Sequence, residues 1–360
     1  MDAAQLSIGV IGARRVRHGI GPFVAAHLAR LGANVKAIAG TSAESVAAAQ
    51  DDLRRLAGIS PRGYADVAEM FNTEDLDAVA ICSPDSVHGE QLRLALAAGL
   101  HVLCEKPLIF DGRSNPAVTA DELAKQFAAR GLVLAVNEQW PNTLAGYDEL
   151  VPSERSSPPE DFRMLLCPGA TGLEMIPNSM PHVLSMLFAL HGEAAADTAT
   201  IRDIETCVKY RNEQGEASAA KISFVFVSGG DAERKTNERK TNVVTELQFA
   251  ASPPRPAAYA IDGRAVNRVI RQPGYRMFLE RLELGKGESL LDAAMAMPED
   301  NARVSIPLVD PLPLLLRDFL DRCQQPHPAE NKTAVRSLDA LWQICEAARA
   351  NADFAPQVIL

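Results

Sequence analysis

Leu6-Ser7-Ile8-Gly9-Val10-Ile11-Gly12 is an apolar run that stops at a glycine, and Gly12-Ala13-Arg14-Arg15-Val16-Arg17-His18-Gly19-Ile20-Gly21-Pro22 follows it. The run reads as a first strand. Beyond the loop, Phe23 to Leu31 is Ala-rich and helical in pattern, with Gly32 as its stop, and Val35 to Ala39 reads as a second strand. A strand, a glycine turn, a helix and a further strand form the opening βαβ unit of a parallel sheet.

The same alternation continues to about residue 140. A helix is expected from Ala43 to Leu56. Ala78 to Cys82 is unbroken apolar sequence, as suits a strand covered on both faces. A helix from Glu90 to Ala98 ends at Gly99, His101 to Cys104 forms the next strand, Thr119 to Arg130 the next helix, and Leu132 to Val136 the last strand. Thereafter the period changes. Ile222, Phe224 and Phe226 alternate with other residues, as do Thr245, Leu247 and Phe249, which predicts half-exposed antiparallel strands. Between them the pentapeptide ERKTN occurs twice, from Glu233 to Asn242, and reads as a solvated hairpin tip. Asp310-Pro311 predicts a helix start leading into Leu314 to Arg322, and Ala334, Leu338, Leu341, Cys345 and Ala348 mark the buried face of another helix. The fold class expected is α/β plus α+β. Residues 1–140 form a doubly wound parallel sheet, and residues 141–360 form an α+β domain on a mostly antiparallel open sheet, its terminal helices packing back on the first domain.

Composition narrows the function. The chain has 360 residues with a formal net charge of -10, which argues against nucleic acid or an anionic membrane as partner. Hydrophobic residues make up 47%, enough for a large core. No stretch approaches the roughly 18 consecutive apolar residues of a membrane helix. The N-terminus has neither the basic segment nor the apolar segment of a signal peptide, so a cytoplasmic protein is expected. Six cysteines without a C-x-x-C pair point to no metal site and no disulfide framework.

The loop after the first strand begins as a G-x-G-x-x-G dinucleotide loop would, but Arg14 and Arg17 occupy the second and third glycine positions. Gly19 and Gly21 come later, as in a lengthened loop. One reading is a remodelled phosphate loop in which Arg14 and Arg15 add charge to backbone donors; the other is a loop that has lost its dinucleotide. The second strand ends in Ala39-Gly40-Thr41-Ser42, with no acid before Glu44 to hold a ribose 2′-hydroxyl. This favours NADP over NAD, with Thr41, Ser42 and Arg14 or Arg15 as contacts of the 2′-phosphate.

Two further segments carry a resemblance. Ser83-Pro84-Asp85-Ser86-Val87-His88 follows one strand, and Gly99-Leu100-His101-Val102-Leu103-Cys104-Glu105-Lys106-Pro107-Leu108 contains the next. The pair resembles the glucose–fructose oxidoreductase / inositol dehydrogenase / rhizopine-catabolism (Gfo/Idh/MocA) family, and resembles it over residues 1–140. The resemblance implies that Ser83, Pro84, His88, Glu105 and Lys106 lie at the cofactor, that the Lys106–Pro107 bond is cis, and that Lys106 is catalytic. A lysine there would polarise the substrate oxygen as hydride leaves the carbon. His88 has a rival reading as a capping or packing residue. The family's D-x-x-x-H segment has its counterpart in Asn178-Ser179-Met180-Pro181-His182, which implies His182 as proton relay. Asn178 stands where the family has the acid, and an amide orients a ring without stabilising an imidazolium. Trp140, after the last parallel strand, is either a nicotinamide contact or packing.

The resemblance thus implies an NAD(P)-dependent oxidoreductase acting on a sugar, cyclitol or related polyhydroxylated compound, assembled as a homodimer or homotetramer through the second sheet. The altered loop and Asn178 keep an alternative open: a non-catalytic dinucleotide-binding sensor on the same fold.

Overall fold

A computed structural model describes residues 5–16, 19–152, 158–192, 194–229, 238–252, 255–271, 276–296, 303–325 and 330–355. The chain divides into two compact units: Met1–Gln139 with Pro311–Leu338, and Trp140–Asp310 with Asp339–Leu360.

The first unit is a six-stranded parallel sheet. Its elements are β1 (Ser7–Ile11), α1 (Gly21–Arg30), β2 (Asn34–Ala39), α2 (Ala43–Ala57), β3 (Arg62–Tyr64), α3 (Val67–Thr73), β4 (Ala78–Ile81), α4 (His88–Ala97), β5 (His101–Cys104), α5 (Ala117–Ala129) and β6 (Leu134–Val136). The short β3 and α3 have no clear sequence signal. Strand order is β3-β2-β1-β4-β5-β6. The order reverses between β1 and β4, and such a switch point opens a crevice at the carboxyl ends of the strands. All four residues of β4 are buried, as expected of a strand covered on both faces. On one side, Val24, Ala25 and Leu28 of α1 pack with Ile8 and Val10 of β1, and Leu316 and Phe319 of helix Pro311–Gln324 complete that core.

The second unit continues with α6 (Leu144–Leu150), β7 (Asp161–Leu166), α7 (Met175–His191), α8 (Ala194–Thr198), β8 (Thr200–Arg211), β9 (Ala217–Ser228), β10 (Arg239–Gln248), β11 (Ala257–Ile261), β12 (Arg264–Arg271), β13 (Arg276–Leu282), α9 (Leu290–Met295) and β14 (Ser305–Pro307). Helices α10 (Pro311–Gln324) and α11 (Lys332–Ala350) end the chain, and the boundary between units falls within α11. The eight strands run β14-β13-β12-β11-β7-β10-β9-β8, antiparallel except where β10 meets β7. Period two sorts their side chains. Register places Ile222, Phe224, Phe226, Val243, Thr245, Phe162, Met164 and Tyr259 on one face, all buried. On the other face Ser223, Val225 and Val244 are only half-buried beside exposed Lys221.

The ERKTN expectation needs correction. Its first copy lies outside the described residues, while Arg239 to Asn242 of the second copy belong to β10. Thr241 is fully buried, because an alternating strand turns every second residue inward even in a charged segment.

Candidate functional site

At the switch point the backbone is shaped by two glycines. Gly12 has φ +78°, and a Cβ there would lie 2.7 Å from the Cys82 carbonyl oxygen. Gly21 opens α1, and its Cβ would lie 2.1 Å from the Gly12 carbonyl oxygen. Gly21 therefore has the close-packing duty of a third glycine, displaced along a lengthened loop. Gly19 only closes a turn, its N–H donating to Val16 O at 3.0 Å. The signal that identifies Gly21 in sequence is its place directly before Pro22, because proline is suited to a first helical turn. No side chain caps α1, so its N-terminal end keeps its positive dipole for an anion. Arg14 and Arg15 are exposed beside it, the Arg15 guanidinium 4.9 Å from the centre of the Phe23 ring.

Thr41 is exposed at the end of β2. Ser42, expected at a 2′-phosphate, has another duty. It is the N-cap of α2, its hydroxyl accepting from Ser45 N at 3.2 Å while Ser45 Oγ accepts from Ser42 N. Glu44 turns its carboxylate to the same helix end, where its own backbone N–H and the Ser42 hydroxyl hold its pKa below the usual range.

Beyond β4 and β5 the motifs converge. The Lys106–Pro107 bond is cis. Ser83 Oγ donates to Gln91 Oε1 at 2.5 Å, and Pro84 begins the turn into α4. His88 is 1% exposed, with Nε2 2.8 Å from Ser83 O and Nδ1 3.0 Å from Pro107 O. Both ring nitrogens thus face backbone carbonyls, the arrangement of the packing reading of His88. The histidine ties the turn after β4 to the peptide after Lys106. Carbonyls only accept, so a neutral ring satisfies one contact and an imidazolium both. Burial lowers the His88 pKa, against the pull of the two carbonyls and Asp85.

Asn137, at the end of β6, donates its amide to Glu105 Oε1. Burial pushes the Glu105 carboxyl up to about 7, opposed by Lys106 and Asn137. Lys106 moves the other way: burial lowers its pKa, against Glu105 and Asp85. Glu138 follows, pushed up to about 7 by burial alone. The strand ends therefore gather a lysine and a carboxyl whose ionisation is disfavoured by their surroundings, the usual condition of groups that exchange protons.

In the second unit, α7 buries 14 of its 17 residues. Asn178 and His182, one turn apart, are two of the three that remain. Asn178 donates its amide to Glu174 O at 2.7 Å. Trp140 is 3% exposed, its ring centre 6.2 Å from that of His182 and 6.1 Å from Tyr259, so it packs in the core of this unit. Among the described residues no cluster of three or more His, Cys, Asp or Glu could hold a metal, and no helix is long and apolar enough to cross a membrane.

Residues 6–138 match the family described as an oxidoreductase family with an NAD-binding Rossmann fold. The inositol 2-dehydrogenase of Klebsiella pneumoniae is 36% identical over 109 residues, 29% of each chain. The inositol 2-dehydrogenase of Streptomyces avermitilis is 29% identical over 199 residues, 51% of this chain and 54% of that one. These matches span less than two thirds of either relative's length. The UDP-N-acetylglucosamine 3-dehydrogenase GnnA of Acidithiobacillus ferrooxidans shares the fold with a TM-score of 0.65 over 96% of this chain and 98% of its own, at 20% identity. Residues 6–138, with their glycine-shaped switch point and Glu105-Lys106-Pro107 strand end, are thus similar to the NAD-binding Rossmann domain of the Gfo/Idh/MocA oxidoreductases.

Proposed function

We propose that this chain is an NAD(P)-dependent oxidoreductase acting on a CH–OH group of a sugar, cyclitol or related polyhydroxylated compound. One observation carries this reading: Lys106, depressed in pKa, stands beside a carboxyl raised to about 7 at the strand ends next to the switch point. The loop suits a dinucleotide, because Gly12 and Gly21 let loop, strand end and α1 approach so closely that a Cβ would meet the Cys82 or Gly12 carbonyl, the tight packing a phosphate loop requires. Gly12, the start of α1, Arg14 and Arg15 would hold the phosphates, and Thr41 with one of those arginines a 2′-phosphate. NADP is the preferred form, since Gly40 and Thr41 put no acid at the end of β2. Ser83, Pro84 and Glu105 would line the nicotinamide side, and the bound nicotinamide would supply or take the hydride.

Lys106 polarises the reacting oxygen by donating from Nζ, and its lowered pKa eases release of a proton from that atom. His182 relays the proton. Asn178 orients the histidine without stabilising its cation, which makes His182 a weaker base than a carboxylate partner would. The half-buried Ser223, Val225 and Val244 make the outward face of the second sheet the contact for a homodimer or homotetramer. A single monomer mass by light scattering at micromolar concentration would rule that assembly out.

The experiment titrates NADPH and NADH by fluorescence and then follows reduced-nicotinamide absorbance across a polyol and sugar panel. Tighter NADPH binding with turnover of at least one polyol is expected. Tighter NADH binding overturns the cofactor preference. Binding without turnover over a broad panel moves the chain to a dinucleotide-binding sensor, the reading that Asn178 favours.

A further inference from the structure

Two arginines lie at the end of the second unit's sheet that carries Trp140. β12 pairs with β11 so that Arg268 stands opposite Ala257 and Val266 opposite Tyr259, which sets Arg268 on the Tyr259 face. Its guanidinium carbon is 4.2 Å from the centre of the Trp140 ring, and that ring is the one packed 6.2 Å from His182. Arg255 comes two residues before β11, and Cys167 directly follows β7; with Ala258 opposite Leu165, both fall at this same end of the sheet. The neighbourhood is felt electrostatically. Burial drives the Cys167 thiol up to about 11, and the charge of Arg255 opposes that rise.

Both arginines are half-buried, so each keeps a partly desolvated cation at this end of the sheet, Arg268 against Trp140 and Arg255 within reach of Cys167. A guanidinium stacked by its face on an indole has its plane fixed, which directs its in-plane N–H donors into a rigid fork. Guanidinium donates and never accepts. A neutral polyol, each of whose hydroxyls must both donate and accept, is poorly matched by donors alone. A planar or tetrahedral oxyanion is well matched.

We propose that Arg268 and Arg255 bind an oxyanion on the substrate, so that the chain acts on an acidic sugar or cyclitol, bearing a carboxylate or a phosphate, in preference to a neutral one. The choice of substrate class rests on the dehydrogenase reading above, whereas oxyanion binding does not. Trp140 is the platform that aligns Arg268, and the ring of the same tryptophan lies 6.2 Å from that of His182.

The test uses the full chain and calorimetric titration with D-glucuronate, D-glucose 6-phosphate and D-glucose, with and without saturating NADPH. At least one charged sugar should bind tenfold or more tighter than D-glucose, and which one does so separates carboxylate from phosphate. Arg268→Gln should erase that preference, a loss on the order of tenfold to a hundredfold for a charged hydrogen bond. Arg268→Lys, which keeps charge and bulk without the planar fork, should restore only part of it. Arg255→Gln should weaken the same ligand while thermal unfolding stays near that of the parent. Equal binding of D-glucose and the acidic sugars, or an unchanged preference in both glutamine variants, overturns the inference. Arginine-dependent binding of an acidic sugar with no turnover and no dinucleotide binding would sink the dehydrogenase reading instead and leave the oxyanion site standing.

Discussion

The strand ends around residues 82–107 and the packed end of α7 each bury a histidine, and the two differ in what surrounds it. His88 faces two carbonyls that can only accept. His191, 4% exposed, faces two hydroxyls: Ser228 Oγ at 2.7 Å from Nδ1 and Thr241 Oγ1 at 2.8 Å from Nε2. Thr241 Oγ1 itself donates to Pro159 O at 2.5 Å, so it accepts from Nε2–H, and Ser228 donates to Nδ1. A neutral ring is fully satisfied there, and burial lowers the His191 pKa to about 4. The first region instead holds Glu105 up, Lys106 down and Cys82 and Cys104 well up, all by burial. One region has polar groups matched for stability. The other keeps mismatched groups, as functional sites do.

The largest separation between them should come from Lys106→Ala. Turnover of whichever polyol the panel identifies should fall by about 10²–10⁴, the range for removal of a general acid or base. The midpoint of thermal unfolding should hardly move, because a desolvated cation leaves with the side chain. Retained turnover, or a large drop in the midpoint, would reverse the roles of the two regions.

His191→Ala should do the opposite. It opens a cavity and strips partners from Ser228 and Thr241, at a cost of about 2–4 kcal/mol, while turnover per folded molecule stays within about twofold. The sign of its pH dependence is fixed by the lowered folded pKa. The unfolded ring takes a proton near 6.5 and the folded ring near 4, so the stabilisation is complete above about 6.5 and is lost as pH falls to about 4. The full span is about 3 kcal/mol. Urea unfolding at pH 7, 6, 5 and 4 measures it, and an equal slope in parent and variant would show that His191 is not the source.

The two regions were unequally legible in sequence. Gly12, Glu105 and Lys106 lie in contiguous motifs, so their place at the strand ends followed from the βα alternation alone. Gly21 was visible only as a glycine beside a proline, since its need arises from the Gly12 carbonyl nine residues back. Ser42 is ambiguous in sequence, because a hydroxyl at a strand end reads alike whether it meets a phosphate or caps the next helix. Serine three residues later, at Ser45, is the sign of the cap. His191, Arg255 and Arg268 gave no signal, because their partners come from strands up to 128 residues from Trp140 or 50 from the histidine and exist only once β10 and β12 find their register.

Glu105→Gln sharpens the contrast through a pH dependence of opposite sign. Because the folded pKa of Glu105 is raised to about 7, the folded state favours the protonated carboxyl; its contribution is present at low pH and lost as pH rises through about 7. The variant should remove a decline in unfolding free energy between about pH 4.5 and 7, a range in which the contribution of His191 rises instead. A decline as steep as in the parent would assign it to another group, with Glu138 next in line.

Ser42→Ala should have the smallest effect, and it divides the two kinds of duty within one residue. Loss of the N-cap should cost about 1 kcal/mol, since the N–H of Ser45 loses its acceptor at the start of α2. If capping is the whole of its work, the dissociation constant of NADPH, read by fluorescence at a temperature well below unfolding, should stay within about twofold. A tenfold weakening of NADPH with NADH unaffected would mean that the same hydroxyl also serves a 2′-phosphate, and that the end of β2 belongs with the mismatched strand ends and not with the helix caps.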